Sequence, residues 1–318
     1  MSRPLFDRIA VVDWSASATP TTGHDSIWIA TLDVADASTS ADTALTLTNQ
    51  RTRHAALGEI IELAEPGRRT LLGVDFSLGF PAGTAAACGL QGTAWHAMWE
   101  FLGSEITDDQ GNRNNRFAVA DRINRSINRS INRPGRIACD APAMPTPGPF
   151  WGCPPRQATE ALTTTKPIRQ PTWPGEWRSI ETRLRTDAHR PFSAWQLLGA
   201  GAVGGQSLVG IAALQRLRQT LGQRMAIWPF TTGPALDAAL DTGVELVVAE
   251  VWPSLWYVVV PPGVVKDAAQ VESTVRRLAR LDAAGDLLAL FRLDFEGAVA
   301  EAVVEEEGWL LGVVGESI

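Results

Sequence analysis

The chain has 318 residues, is 45% hydrophobic and carries a formal charge of −7. That is apolar material enough for one elaborated α/β domain or two average ones. Its acidity excludes a protein that coats nucleic acid by bulk charge and leaves only local patches for that purpose.

The first third alternates clearly between strand and turn. Residues 8–14 (RIAVVDW) predict a buried strand and residues 26–34 a second, with a Thr/Pro/Gly-rich loop between them. ALTLTN at 44–49 alternates like a third strand. Ala56, Leu57, Ile60, Ile61 and Ala64 fall on one helical face, and Pro66-Gly67 stops that helix. Residues 69–76 predict a fourth strand. The middle differs: residues 141–174 are dense in Pro, Gly and Trp, too long for a connector and too aromatic for a linker. We expect an ordered insertion that lines or covers a cleft. A helix is expected over 207–221, strands over 225–230 and 245–251, and a helix from Asp267, capping-box-like with Gln270, to about Ala283 before Gly285. A last helix is expected over 296–307.

Three acids close strand-like apolar runs: Asp13 in IAVVDWSAS, Asp75 in LLGVDFSLGFP and Glu250 in ELVVAEVWPS. Carboxylates delivered to one end of a sheet from separate strands can assemble a divalent-metal site. Oxygen ligands suit Mg²⁺ or Mn²⁺, and two such ions can clamp the attacking and leaving oxygens of a phosphodiester. An acid just past a strand is also an ordinary loop residue or helix cap, so the weight lies in three occurring together.

Other motifs are weaker. GAGAVG at 199–204 matches the dinucleotide fingerprint in form, but the first acid after it is Asp237, too far for the ribose contact. We expect a tight loop before a helix there and no dinucleotide. RINRSINRSINR at 122–133 repeats every four residues. As a helix it sets Ile123, Ile127 and Ile131 on one ridge, with Arg125, Arg129 and Arg133 beside it. With Arg122, that stripe is a candidate phosphate track, because guanidinium forks match phosphate oxygens. A solvated helix face explains it equally well. Trp14, Trp252 and Trp256 lie near the acids and could stack on a base, although tryptophan in such runs is more often core. Cys88, Cys139 and Cys153 contain no C-x-x-C pair, and the four histidines show no metal spacing. The opening MSRPLFDRIAVVDW does not read as a signal peptide. The longest apolar run is broken by Glu250 and Pro253, so a cytoplasmic protein without a membrane partner is expected.

VVDWSAS, GVDFSLGFP, AEVWPSLW followed by Lys266-Asp267, GPFWG, WQLLGAGAVGGQSLVGI, IWPFTTG and the closing EEEGWLLGV resemble a family of predicted nucleases with an RNase H-like fold. They are most like the bacterial subset often labelled molybdopterin-guanine dinucleotide biosynthesis proteins. The resemblance covers most of the chain. It implies an α/β fold, an RNase H-like mixed sheet with the first three strands antiparallel, flanked by helices. It also implies a single domain over 1–318, with residues 92–200 inserted between the fourth strand and the C-terminal half. By the same resemblance, Asp13, Asp75 and Glu250 are metal ligands of a nuclease. The fourth acid is Glu307 or Glu306 by motif, or Asp294 by its place at a helix start. Lys266 would neutralise a phosphate. Where relatives outside the subset carry His and a further acid, this chain has Trp252 and Ser254. Two functions follow as expectations: a Mg²⁺- or Mn²⁺-dependent phosphodiesterase acting on nucleic acid, or a non-cleaving protein that binds a nucleotide or pterin-dinucleotide cofactor.

Overall fold

The computed structural model describes residues 4–34, 45–131, 146–186, 189–199, 201–236, 240, 242–256 and 258–313. Three strands lead the chain: β1 (Arg8–Asp13), β2 (Ile27–Asp33) and β3 (Thr46–Gln50). Helix α1 (Arg53–Leu63) follows, its first turn capped by the Thr52 hydroxyl, which accepts from Ala55 N–H at 3.1 Å. Next come β4 (Thr70–Val74), the short α2 (Thr84–Ala87), α3 (Ala94–Glu105), α4 (Arg116–Ile131) and α5 (Ser179–Thr186). The C-terminal part holds α6 (Gly204–Leu221), β5 (Met225–Ile227), β6 (Leu246–Glu250), α7 (Lys266–Ala284) and α8 (Ala298–Ala302).

Among the described residues the strands form one six-stranded sheet in the order β3-β2-β1-β4-β6-β5. β1, β2 and β3 pair antiparallel, whereas β4, β6 and β5 all run parallel to β1. The fold is therefore the expected α/β mixed sheet, antiparallel in its first three strands and flanked by helices. Parallel strands are normally buried on both faces, and the side chains obey this. In β1, Ala10 and Val12 face one core with α1, α3 and α6, while Ile9 and Val11 face a second core with α7. β4 divides in the same way, with Leu72 and Val74 on the first face and Leu71 on the second.

Parallel alignment has one consequence for function. β1, β4 and β6 all end at the same edge, so the residues following them meet there. This is the carboxyl edge of the strands, where open α/β sheets place their ligands.

Two expectations change. The last helix is short: α8 stops at Ala302, and Val303–Glu307 continue as a wider π turn. That turn presses on the loop after β4, where a Cβ on Gly79 would lie 2.1 Å from the Glu306 carbonyl oxygen. Gly79→Ala is therefore expected to cost about 1–3 kcal/mol, the usual range for forced overpacking, read as a lowered denaturation midpoint at unchanged slope. The capping box also fails to form. Val265 takes the N-cap position of α7 with no side-chain hydrogen bond, and Gln270 instead donates to the Ser254 hydroxyl at 2.9 Å. No helix among the described residues is long and apolar enough to cross a membrane.

Candidate active-site cleft

At the carboxyl edge lies a cleft of about 920 Å³, within the range of small-molecule sites. Asp13 ends β1 and Asp75 directly follows β4, so parallel pairing sets them side by side. Their carboxyl groups share a hydrogen bond, and Asp75 Oδ1 also accepts from Trp14 N–H at 2.7 Å. Burial, then the charge of Asp75 and more distantly of Asp267 and Asp25, holds the Asp13 carboxyl well above the usual carboxylate range. Burial pushes Asp75 up to about 6, against the pull of the hydrogen bonds it accepts. Two carboxyls in contact cannot both ionise cheaply; they need a shared proton or a cation between them.

Asp267 reads in the sequence as a helix cap and as part of a Lys-Asp pair after AEVWPSLW, without a site role. It sits in the first turn of α7, beside Lys266, and both line the cleft with Asp25. The signal available in the sequence was the Lys-Asp pair at a predicted helix start, but its nearness to Asp13 depends on how α7 packs across the sheet.

Glu250 is placed differently from the expectation. It ends β6 and borders the cleft, but its carboxylate is bound by the Arg178 guanidinium at 2.6 and 2.7 Å and by Leu78 N–H at 3.1 Å. Arg178 also holds Glu181 at 2.6 Å and donates to the Glu307 carbonyl at 2.8 Å. All three residues of this Glu–Arg–Glu group are at most 4% exposed. Burial opposes the Arg178 charge, but the two carboxylates outweigh it and raise its pKa well above the ordinary value. Burial raises the Glu250 pKa, opposed by Arg178. The guanidinium thus uses the Glu250 oxygens that a metal would need. Nothing in the sequence tied Arg178 to Glu250, because they lie 72 residues apart.

The remaining acids are also engaged or distant. Glu307 accepts from Ala82 N–H at 2.9 Å and Ser179 N–H at 2.7 Å, and Glu306 accepts from Gly83 and Ala85 N–H at 2.6 and 2.7 Å. These carboxylates cap backbone donors at the starts of α5 and α2. Asp294 is exposed and does not line the cleft. Among the described residues no three His, Cys, Asp or Glu side chains form a group able to hold a metal on their own. Asp13 and Asp75 still suit Mg²⁺ or Mn²⁺. Mg²⁺ is usually held by one or two carboxylates, with waters and substrate phosphate oxygens completing its shell, and the carboxyl–carboxyl contact marks where a cation would replace a proton.

The arginine stripe is helical, with Ile123 and Ile127 buried beneath it. Arg122 pairs with Glu105, Arg125 with Asp121 at 2.8 Å, and Arg129 bonds the Ser126 hydroxyl at 3.1 Å. None of these three lines the cleft, and Arg133 falls outside the described residues. The double change Arg125→Gln with Arg129→Gln is expected to leave any nucleic-acid affinity and its dependence on salt unchanged, since a lost phosphate contact lowers the salt slope by about one. A binding titration at several salt concentrations checks this.

Of the described part of 141–174, no residue lines the cleft. Phe150, Leu162 and Trp173 belong to the core instead. The cleft wall comes from the following stretch, including Glu181, Phe192, Leu198, Gly201 and Gln206. Trp14 is core-packed at 3% exposure, and Trp252 lines the cleft with the His189 ring edge-on at 5.7 Å. Trp256 lies outside the lining, under the Arg277 guanidinium at 5.1 Å. Within GAGAVG, Gly199 and residues 201–203 precede α6, which begins at Gly204, and among the described residues just before them there is no strand, which the dinucleotide motif would require. In comparisons with protein-family models, curated proteins and solved structures, the chain matches none.

Proposed function

We propose that this chain is a metal-dependent phosphodiesterase whose reaction centre is the Asp13–Asp75 pair, acting on nucleic acid or on a nucleotide. One observation carries this reading: two carboxyls from adjacent parallel strands in mutual contact, both lining an open cleft. That arrangement has a cost when no cation is bound, and binding Mg²⁺ or Mn²⁺ removes it. When bound, the cation supplies positive charge against the phosphate oxygens and makes water easier to deprotonate. Asp13 and Asp75 would hold it. Asp267 and Asp25 add to the negative field that draws it in, and Lys266 at the cleft mouth balances phosphate charge. In the reaction, a water oxygen bonds to phosphorus, the ester P–O bond breaks, and the departing oxygen keeps the electron pair and takes a proton. The proton released by the water passes to solvent through the open cleft.

The test is hydrolysis of bis(p-nitrophenyl) phosphate and of single- and double-stranded DNA and RNA with Mg²⁺ or Mn²⁺. Metal-dependent release that is lost in Asp13→Asn supports the reading. The sequestration of Glu250 favours a second reading on the same cleft, in which a nucleotide-bearing ligand is bound but not cleaved. Absence of cleavage with every metal, together with a nucleotide-dependent rise in melting temperature, selects that alternative.

A further inference from the structure

Three arginines are buried among the described residues: Arg53, Arg116 and Arg178. Two are fully employed. Arg53 clamps Asp108 with two bonds of 2.6 Å and donates to the carbonyls of Ser15, Ser17 and Asn112, all at 2.8 Å. Arg178 serves the Glu–Arg–Glu group. Arg116 is the exception. It is 7% exposed, bonds only Asn114 Oδ1 from its NH1 at 2.8 Å, lies over the Phe117 ring at 4.3 Å, and leaves its Nε without any partner. A buried guanidinium donor without an acceptor calls for an explanation, because an unpaired buried polar group has lost its water without gaining a partner.

Arg116 lines the cleft, and its position supplies the explanation. A Cβ on Gly205 would stand 2.8 Å from the Leu197 carbonyl oxygen, 3.3 Å from Arg116 Nε and 3.4 Å from the Ala16 methyl, so the guanidinium, which lines the cleft, lies against the first turn of α6. That helix is 18 residues long and has no side-chain cap, and Gly204 N–H is taken by the Gln196 carbonyl at 2.9 Å. The next donors, on Gly205 and Gln206, are first-turn N–H groups with no partner inside the helix. Glycine at 205 admits the Leu197 carbonyl and the Arg116 guanidinium close to the helix, while Val203 and Gln206 of the same turn line the cleft. The Gln206 side chain donates to the Trp14 carbonyl at 2.5 Å, and Trp14 N–H binds Asp75, so this turn is tied to the carboxylate pair through a single residue. A second donor without a partner, Trp14 Nε1, belongs to another residue lining the cleft.

We propose that Arg116 and the first turn of α6 form a phosphate-binding subsite that seats a substrate phosphate beside Asp13 and Asp75. A helix N-terminus favours an anion through its free N–H groups and its dipole, and a guanidinium adds charge and directed donors. The subsite gives the GAGAVG turn a role without a dinucleotide: it aims α6 at the cleft. Its phosphate specificity rests on the reading of the cleft as a phosphoester site, but anion binding there does not depend on cleavage.

The experiment is isothermal titration of the metal-free protein with inorganic phosphate, thymidine monophosphate and thymidine. The monophosphate is expected to bind at least about tenfold more tightly than the nucleoside, a difference of about 1.4 kcal/mol. Arg116→Gln should remove that difference and Arg116→Lys should restore part of it. Since Arg116→Gln could also disturb packing, Ala16→Asp is the companion variant: its carboxylate would occupy the subsite and pair with Arg116. It should abolish the phosphate preference with a melting temperature at or above wild type. Equal binding of monophosphate and nucleoside overturns the proposal, as does unchanged phosphate affinity in folded Ala16→Asp. Phosphate binding that survives in Asp13→Asn while cleavage is absent in every form sustains the subsite and defeats the catalytic reading. Cleavage with unchanged KM in Arg116→Gln and Ala16→Asp does the reverse.

Discussion

Replacing Arg178 with methionine is expected to destabilise the protein by about 3–5 kcal/mol, the scale for removing one partner of a buried ion group. The side chain is 1% exposed and satisfies two carboxylates that are themselves buried, so its loss strands Glu181 and Glu250 without a counter-charge. It also frees the Glu307 carbonyl and loosens the contact joining β6, α5 and the C-terminal turn. Denaturant unfolding measures the effect. A shift below about 1 kcal/mol, typical of an exposed pair, would show that Arg178 is not the keystone of that wall. Glu250→Gln should cost less, because Arg178 keeps Glu181. It should also leave the Mn²⁺-induced rise in melting temperature intact, since Glu250 already serves the guanidinium. Loss of that rise would restore Glu250 as a metal ligand.

Asp13→Asn is expected to lower metal-dependent phosphodiester cleavage by about 10³-fold or more, the scale of losing a principal electrostatic contribution to a transition state. The amide keeps the volume but gives up the charge that holds the cation. The same substitution should leave the metal-free fold as stable as wild type, or more so, and shrink the stabilisation by Mn²⁺. The pH dependence follows from the raised pKa values. Below the ordinary aspartate pKa, folded and unfolded states are both protonated and the pair carries no penalty. As pH rises, the unfolded chain releases its protons first while the folded pair retains them, so stability falls. The fall spans the window from the ordinary value to about 6 for Asp75, and Asp13 adds a fall of the same sign. Metal-free wild type should thus lose melting temperature between about pH 4 and about 6, and Asp13→Asn should lose less. Identical pH profiles would remove the carboxyl pair from the account, and wild-type cleavage rates in Asp13→Asn would exclude Asp13 as a ligand.

The strand ends and the helix spacing were legible in the sequence because they are local. Short continuous apolar runs in RIAVVD, TLLGV and LVVAE, bounded by turn residues, mark buried strands, and the acids at 13 and 75 follow directly from where those runs stop. Parallel pairing of β1 with β4 then turns two sequence positions into one carboxyl pair. The four-residue repeat likewise sufficed to make α4 a helix with a buried isoleucine ridge.

Partnership across the fold was not legible, because a carboxylate's role depends on which cation or donor reaches it. Glu250 reads in the sequence like Asp13, yet Arg178, 72 residues earlier, captures it. Glu306 and Glu307 read as ligands, yet backbone N–H groups from residues 82–85 and 179 take their oxygens. Asp267 reads as a helix cap, yet α7 brings it to Asp13. Arg116 opens α4, ahead of the repeat at 122–133, and only its burial against Gly205 separates it from the paired arginines further along that helix. Local pattern determined where chemistry-bearing residues end up along each element. Only the packing of elements distant in sequence decided which of those charges are already neutralised and which face the cleft with no partner.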